Sequence, residues 1–209
     1  MKLAKGFRGF AVIDVETNGL SPEHDRILEI AVVSLATDMS IESTWTTLVN
    51  PGTSRMGRTD IHNIHIEDLE FAPTFCDLVG DLIKNLQGRI LVAHNIDFDS
   101  GFLCAEFDRT DISVNLSQVP GLDTLDIARQ RWPGKRASLD VCCQRAGISR
   151  PVTHSAFADA MATAYLLRYL FEFLDRSTIP ALERAMQKAT NVVWPSMPDN
   201  TVNLVPRRQ

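Results

Sequence analysis

The sequence predicts an α/β fold in which a mixed β-sheet is flanked by helices. Three apolar, β-branched segments follow one another near the start of the chain and are joined by short turns. Connections this short favour antiparallel neighbours. The rest of the chain alternates helix-spaced apolar patterns with one more strand-like segment, and this order of elements is typical of a mixed sheet with helices beside it.

Four strands are predicted from apolar and β-branched runs. Residues 10–15 form the first strand, and Asn18-Gly19 turns the chain after it. Residues 27–36 and 43–49 form the second and third strands, and residues 89–93 form the fourth.

Helices are predicted where apolar residues recur at helical spacing. One spans residues 74–86, with Phe75, Leu78 and Leu82 on one face. Another spans residues 155–174 and is apolar nearly all round, so it should be buried on several sides. The other predicted helices begin near residue 66 or span residues 99–107, 124–132 and 138–146.

The composition divides the chain into a domain at residues 1–178 and a C-terminal extension at residues 179–209. The extension is predicted to hold one helix, at residues 180–189, followed by an irregular tail with three prolines. Whether this tail packs on the domain, dimerises or docks a partner stays open, as does the oligomeric state.

Charge and cysteine content restrict the class of protein. A net charge of −5 argues against a protein that coats long nucleic acid, but it is compatible with an enzyme that grips a strand end. The four cysteines include no C-x-x-C pair and lie in apolar segments, which predicts buried free thiols in a reducing cytosol. We see no signal peptide and no membrane-spanning run, so a cytoplasmic protein without membrane contact is expected.

Carboxylates occur in three short patches, each at the end of an apolar element. Asp14 and Glu16 are two residues apart on the first strand, so their side chains leave the same face. Asp99 lies at a predicted helix start, and Asp159 lies early in an apolar helix. Burial makes an unpaired negative charge costly, but converging carboxylates are tolerable if they hold hard divalent cations. Two such ions side by side cut phosphodiester bonds, so the patches predict a nuclease.

The first two patches also have plainer interpretations. Asp14 and Glu16 are compatible with an ordinary polar strand end. Asp99 is compatible with an ordinary helix N-terminus, and Asp97 competes with it for the role in the second patch. The spacing of the first patch also resembles a calcium loop. That interpretation fails because a strand precedes the loop and the segment after Pro22 supplies no exiting helix.

His154 precedes Asp159 by five residues, at the entrance of the apolar helix. On an ideal helix it would point about 140° away from Asp159. It is therefore predicted on the loop, with Ser155 or Thr153 capping the helix. A loop-borne histidine can accept a proton from water, although a structural role for His154 alone stays open.

Together and in this order, the patches resemble the motifs of the DEDDh 3′-5′ exonucleases. The first motif, D-x-E-T-x-G-L, is met at residues 14–20, and the second, A-H-N-x-x-F-D-x-x-F-L, at residues 93–103. The third, H-x-A-x-x-D-A, is met at residues 154–160. The resemblance spans residues 7–174 and selects Asp99 over Asp97 in the second patch.

The resemblance implies a ribonuclease H-like fold, with a mixed five-stranded sheet and helices on both faces. It implies that Asp14, Glu16, Asp99 and Asp159 hold two divalent cations, Mg²⁺ or Mn²⁺, and that His154 is the general base. Asn63 stands where the family has a glycine, and Asn18 replaces a common threonine. The residues expected to contact the 3′-terminal nucleotide are Thr17, Asn18, His62, Asn63, Ile64, Asn95 and Phe98.

The implied activity is removal of nucleoside monophosphates from the 3′ end of single-stranded or frayed DNA, with a DNA polymerase subunit as a candidate partner. Two alternatives stay open: an RNA 3′-end exonuclease like RNase T or oligoribonuclease, and a non-catalytic, polymerase-associated module that binds nucleic-acid ends. A local basic cluster either tracks the strand backbone or forms a solvated helix face. It consists of Arg129, Arg131, Lys135 and Arg136.

Overall fold

The computed structural model describes residues 2–112, 114–150, 155–197 and 202–207. Its strands are β1 (Gly9–Thr17), β2 (Ile27–Leu35), β3 (Ile41–Leu48), β4 (Arg89–Ala93) and β5 (Gly121–Asp123). They form one mixed sheet in the order β3-β2-β1-β4-β5. The β1–β2 and β2–β3 pairs are antiparallel, and the β1–β4 and β4–β5 pairs are parallel.

Seven α-helices are present in the described residues. They are α1 (Thr59–His62), α2 (Phe75–Leu86), α3 (Ile96–Asp108), α4 (Thr124–Arg131), α5 (Leu139–Ala146), α6 (Ala156–Phe171) and α7 (Ile179–Asn191).

The predicted mixed sheet with flanking helices is confirmed, with local differences. β5 is too short to show an apolar pattern, and its place comes from parallel pairing with β4. The helix predicted from residue 66 is only a 3-10 turn at Ile66–Leu69, and the single turn of α1 was not predicted. Both pieces have few apolar residues at helical spacing, so a face that would extend them is absent.

The sheet separates two hydrophobic layers. Ile13 and Val15 of β1 belong to the layer that contains α2 and α3, whereas Val12 belongs to the layer that contains α6 and α7. Successive side chains of a strand leave opposite faces. Asp14 and Glu16 continue the period of Val12, so β1 delivers both carboxylates to the α6 face.

The C-terminal extension packs against the rest of the chain. Met186 of α7 is fully buried in the α6 layer, and Trp194 packs against the opposite layer. Residues 202–207 then lie along the end of β3, where the Leu48 N–H donates to the carbonyl of Val205 at 2.8 Å.

All four cysteines are free thiols, and Cys142 and Cys143 are buried. The prediction that all four are buried is wrong for Cys76, which is exposed in the first turn of α2, and for Cys104, which is only partly buried. Cys76 follows Phe75 by one position, and one position rotates a side chain away from the buried stripe of a helix. No helix in the described ranges is both long and apolar enough to cross a bilayer.

Candidate active site

Three of the predicted carboxylates meet where β1 ends and α6 begins. Asp14 and Glu16 lie near the end of β1, and Asp159 is the fourth residue of α6. One oxygen from each side chain lies within 4.8 Å of the other two. The cluster therefore combines a strand end with the first turn of a helix.

Asp99 adjoins this cluster from α3. Its side chain is buried, and its Oδ1 accepts the N–H of Val15 at 3.1 Å, between the two carboxylates of β1. Burial raises the pKa of Asp99 to about 8. Asp97, the competing residue of the same patch, is exposed to solvent.

The electrostatics of the cluster fit a cation site. Burial raises the pKa of Asp14 well above its usual range, and neighbouring charges, first that of Asp99, raise it further. Burial and the charges of Glu29 and Asp159 raise the pKa of Glu16 to about 7. Ionising these groups together therefore calls for compensating positive charge. Carboxylate oxygens are the donors that Mg²⁺ and Mn²⁺ prefer, so this donor set fits such ions.

Arg150 brings positive charge to the cluster from the loop after α5. Its Nε donates to Asp159 Oδ1 at 3.0 Å, and its guanidinium also pairs with Asp140 of α5. The Arg150 side chain is only 9% exposed. Sequence reasoning missed this residue because a single arginine in a loop belongs to no motif.

Glu29 of β2 is a further buried acid that the sequence analysis did not include. It lies directly opposite Glu16 in the antiparallel register, and it accepts the N–H of Ala156 at 3.1 Å. Burial raises the pKa of Glu29. The signal that identifies it in the sequence is a lone charge inside the apolar strand at residues 27–35.

The predicted base, His154, lies outside the described residues, as does Thr153. The described chain resumes at Ser155, the N-cap of α6. Its side chain accepts the N–H of Ala158 at 3.2 Å, so Ser155 satisfies the first turn of the helix.

The loop after β1 is held by its own side chains. Asn18 is 2% exposed, its Oδ1 accepts the Arg26 N–H at 2.7 Å, and its Nδ2 donates to the Arg55 carbonyl at 2.6 Å. Thr17 Oγ1 donates to the carbonyl of Gly19 at 2.6 Å. Two of the residues predicted to contact a nucleotide thus shape the loop in this structure.

The His62-Asn63-Ile64 segment ends α1. His62 Nε2 lies 2.9 Å from the Met56 carbonyl oxygen, and His62 Nδ1 accepts the Ile64 N–H at 3.1 Å. The side chains of His62 and Ile64 are both buried. Asn63 is exposed and has a φ of 50°, in the left-handed region. Asparagine tolerates this conformation better than most residues, which explains how it stands in the place of a glycine.

Asn95 and Phe98 lie at the start of α3. Asn95 is exposed, and its N–H donates to Asp123 Oδ1 at 2.9 Å. Phe98 is half-buried, with its ring centroid 5.0 Å from that of Phe102. Of the residues predicted to contact the substrate, Asn63, Asn95 and Phe98 have side chains that are accessible to solvent, and these side chains do not hold a loop in place.

Comparison with known proteins agrees with this geometry. Residues 11–167 match the RNase T family model, whose description is exonuclease. The DNA polymerase III subunit epsilon of Pasteurella multocida is 34% identical over 168 residues, which cover 74% of this chain and 66% of that protein. The PolC-type DNA polymerase III of Oceanobacillus iheyensis is 36% identical over 167 residues, which cover 79% of this chain and 12% of that protein.

Solved structures also share the fold. Exonuclease X in complex with 5′-overhanging duplex DNA has a TM-score of 0.60 and 26% identity, over 78% of this chain and 92% of that chain. The present chain spans just under two thirds of the epsilon subunit and a small part of the PolC-type polymerase. It therefore belongs to the exonuclease family and has the ribonuclease H-like fold of the 3′-5′ exonucleases.

Proposed function

We propose that this chain is a metal-dependent 3′-5′ exonuclease that removes nucleoside monophosphates from the 3′ end of DNA. The observation that carries the proposal is the meeting of Asp14, Glu16 and Asp159 within 4.8 Å, with Asp99 beside them. The DNA polymerase III relatives and the DNA-bound exonuclease X support DNA as the polymer and a DNA polymerase as the partner.

The four carboxylates would hold two Mg²⁺ or Mn²⁺ ions. When bound, these ions activate the attacking water and stabilise the departing 3′ oxygen. The protein positions the oxygens before substrate arrives, because β1 and the capped first turn of α6 fix Asp14, Glu16 and Asp159. Asp99 is oriented by the Val15 N–H.

We assign acceptance of the proton from the attacking water to His154. In the sequence it directly precedes Ser155, the cap of the helix that carries Asp159, and this position supports the assignment. Its ordinary pKa, about 6.5, suits a general base near neutral pH.

The basic segment, residues 129–136, provides a path for the substrate strand. His94, which follows β4, joins the end of this segment to the start of α4: its Nδ1 lies 2.9 Å from Thr124 Oγ1, and its Nε2 lies 2.8 Å from the Ala137 carbonyl oxygen. Lys135 and Arg136 are exposed, and neither forms an ion pair with a described carboxylate. Such free cations suit the phosphates of a single strand that approaches the cluster.

The test uses 5′-labelled single-stranded DNA with Mg²⁺ or Mn²⁺. The wild-type protein should shorten it one nucleotide at a time, and Asp14→Asn and Asp159→Asn should lose at least about 100-fold in rate. Asp99→Asn should be equally impaired, whereas the matched control Asp97→Asn in the same helix turn should keep wild-type activity. Full activity of Asp159→Asn would end the assignment.

A parallel assay with RNA of the same sequence distinguishes the polymer. Faster shortening of RNA than of DNA would replace the DNA assignment with an RNA 3′-end exonuclease. Binding of the labelled strand without any shortening of it would indicate a binding module.

A further inference from the structure

The C-terminal strap, residues 202–207, is anchored beside the active site. The Leu48 N–H donates to the Val205 carbonyl at 2.8 Å, and the Val205 N–H donates to Thr47 Oγ1 at 3.0 Å. Val205 also packs against a small hydrophobic cluster at this edge of the sheet. Two residues after this anchor, Arg207 reaches into the site.

Arg207 joins separate walls of the site. Its Nη1 lies 3.2 Å from Glu29 Oε2, and its Nη2 donates to the carbonyl of His62. The same Oε2 of Glu29 accepts the N–H of Ala156, the first residue of α6, at 3.1 Å. One guanidinium therefore connects β2, the end of α1 and the start of the helix that carries Asp159.

Glu29 requires a partner of this kind. Its side chain is 2% exposed and lies on the same face as Glu16, directly across the β1–β2 pair. A buried carboxylate without compensation would be costly next to another acid. A planar guanidinium can donate to the carboxylate and to the His62 carbonyl at once, which a lysine ammonium on a flexible stem does less well.

We propose that Arg207 is a positioning residue of the active site: through Glu29 it holds the start of α6, and with it Asp159, where the carboxylates can share a cation. The strap is then part of the catalytic unit, although the family motifs end far before it. The activity readout of this proposal rests on the proposed function. Its metal-affinity readout does not need nuclease activity.

The experiment compares Arg207→Gln and Arg207→Lys in the full chain. Mn²⁺ affinity is measured by electron paramagnetic resonance, and kcat and KM are measured on 5′-labelled single-stranded DNA. Arg207→Gln should weaken Mn²⁺ binding and lower kcat by about 10- to 100-fold, with a smaller change in KM. Losses of this size are typical when a residue that supports the ligands of a metal is removed. Arg207→Lys should recover part of the loss, because it keeps the positive charge but loses the planar guanidinium that donates to two acceptors at once.

Arg184→Gln is the matched control. Arg184 is exposed on α7, which packs beside the start of β1, at the opposite end of that strand from Asp14 and Glu16. This control should bind Mn²⁺ and cleave DNA like the wild type. Glu29→Gln provides a second comparison: because Arg207 acts through Glu29, Arg207→Gln should add little in the Glu29→Gln background.

Two results would overturn the proposal. One is an Arg207→Gln protein whose Mn²⁺ affinity and kcat stay within about twofold of wild type. The other is full additivity of the Arg207 and Glu29 substitutions. If the glutamine variant does not fold, the lysine variant decides. Wild-type Mn²⁺ affinity in Arg207→Lys would show that the two-acceptor contact of the guanidinium is not needed, and this would overturn the proposal. If the wild type cleaves no DNA, the Mn²⁺ measurements still decide the role of Arg207.

Discussion

At the scale of single residues, the acids of the site oppose one another's ionisation. Burial raises the pKa of Glu16 from 4.5 to about 7 and that of Asp99 from 3.8 to about 8. Over these ranges the folded protein keeps protons that the unfolded chain has lost. Because the folded state binds more protons, the free energy of unfolding of the metal-free protein falls as the pH rises through them.

We therefore expect the cluster to lower the Tm in EDTA progressively as the pH rises from about 5 to about 8. Mn²⁺ should raise the Tm more at the upper end, since it binds the ionised carboxylates. Thermal unfolding followed by circular dichroism measures both effects.

The matched variant for this pH prediction is Asp14→Asn, which removes a buried carboxyl whose own pKa is raised and should therefore make the fall shallower. Burial lowers the pKa of His62 and His94, which makes stability rise with pH around their titration. Those histidines are present in both proteins, so the difference between the two profiles reports the cluster. Superimposable profiles would contradict the prediction.

The sequence identifies some residues of the site and misses others for a physical reason. Asp14, Glu16 and Asp159 each belong to a short local motif that can be read without a structure. Glu29 and Arg207 acquire their roles from contacts between distant parts of the chain, Glu29 through strand register and Arg207 through the path of the strap. No local pattern contains that information.

At the scale of elements, predictability follows length and apolar pattern. The strand predicted at residues 10–15 is observed as β1, and the helix predicted at residues 74–86 is α2. α2 begins with a capping box, in which Thr74 accepts from the Asp77 N–H and Asp77 accepts from the Thr74 N–H. β5 has three residues and is positioned by its neighbour rather than by its own composition.

The basic segment is the element whose role in substrate binding is easiest to test. Replacing both Lys135 and Arg136 by glutamine should raise KM for a long single-stranded oligonucleotide several-fold. It should leave hydrolysis of a chromogenic thymidine monophosphate ester unchanged, because that substrate has no strand to track. The slope of log(kcat/KM) against log salt should become less negative by about 0.7 for each lost phosphate contact.

Arg184→Gln again serves as the control for this charge removal, since it lowers the net charge without touching the basic segment. An unchanged salt slope in the double variant would reduce the segment to a solvated helix face. A loss of activity on the chromogenic ester would instead indicate damage to the carboxylate cluster.

At the scale of the whole molecule, the extension completes both hydrophobic layers. Met186 fills a position beside the start of β1, while Trp194 packs against the layer on the other side of the sheet. Val205 then closes the edge at β3. The resemblance to the family ends at residue 174, but apolar contacts with both layers continue beyond it.

A chain that ends at residue 178 should therefore be much less stable than the full chain. Full burial of a large apolar side chain contributes about 1.5–3 kcal/mol. Met186 is fully buried and Trp194 and Val205 are partly buried, so loss of all three should cost about 3–6 kcal/mol. In a protein of this size that corresponds to a fall in Tm of about 10 °C. Leu204→Ala is the control, because Leu204 is partly exposed on the same strap and should change stability by less than about 0.5 kcal/mol. A shortened chain that unfolds at the temperature of the full one would show that the two layers of the sheet are complete without the extension.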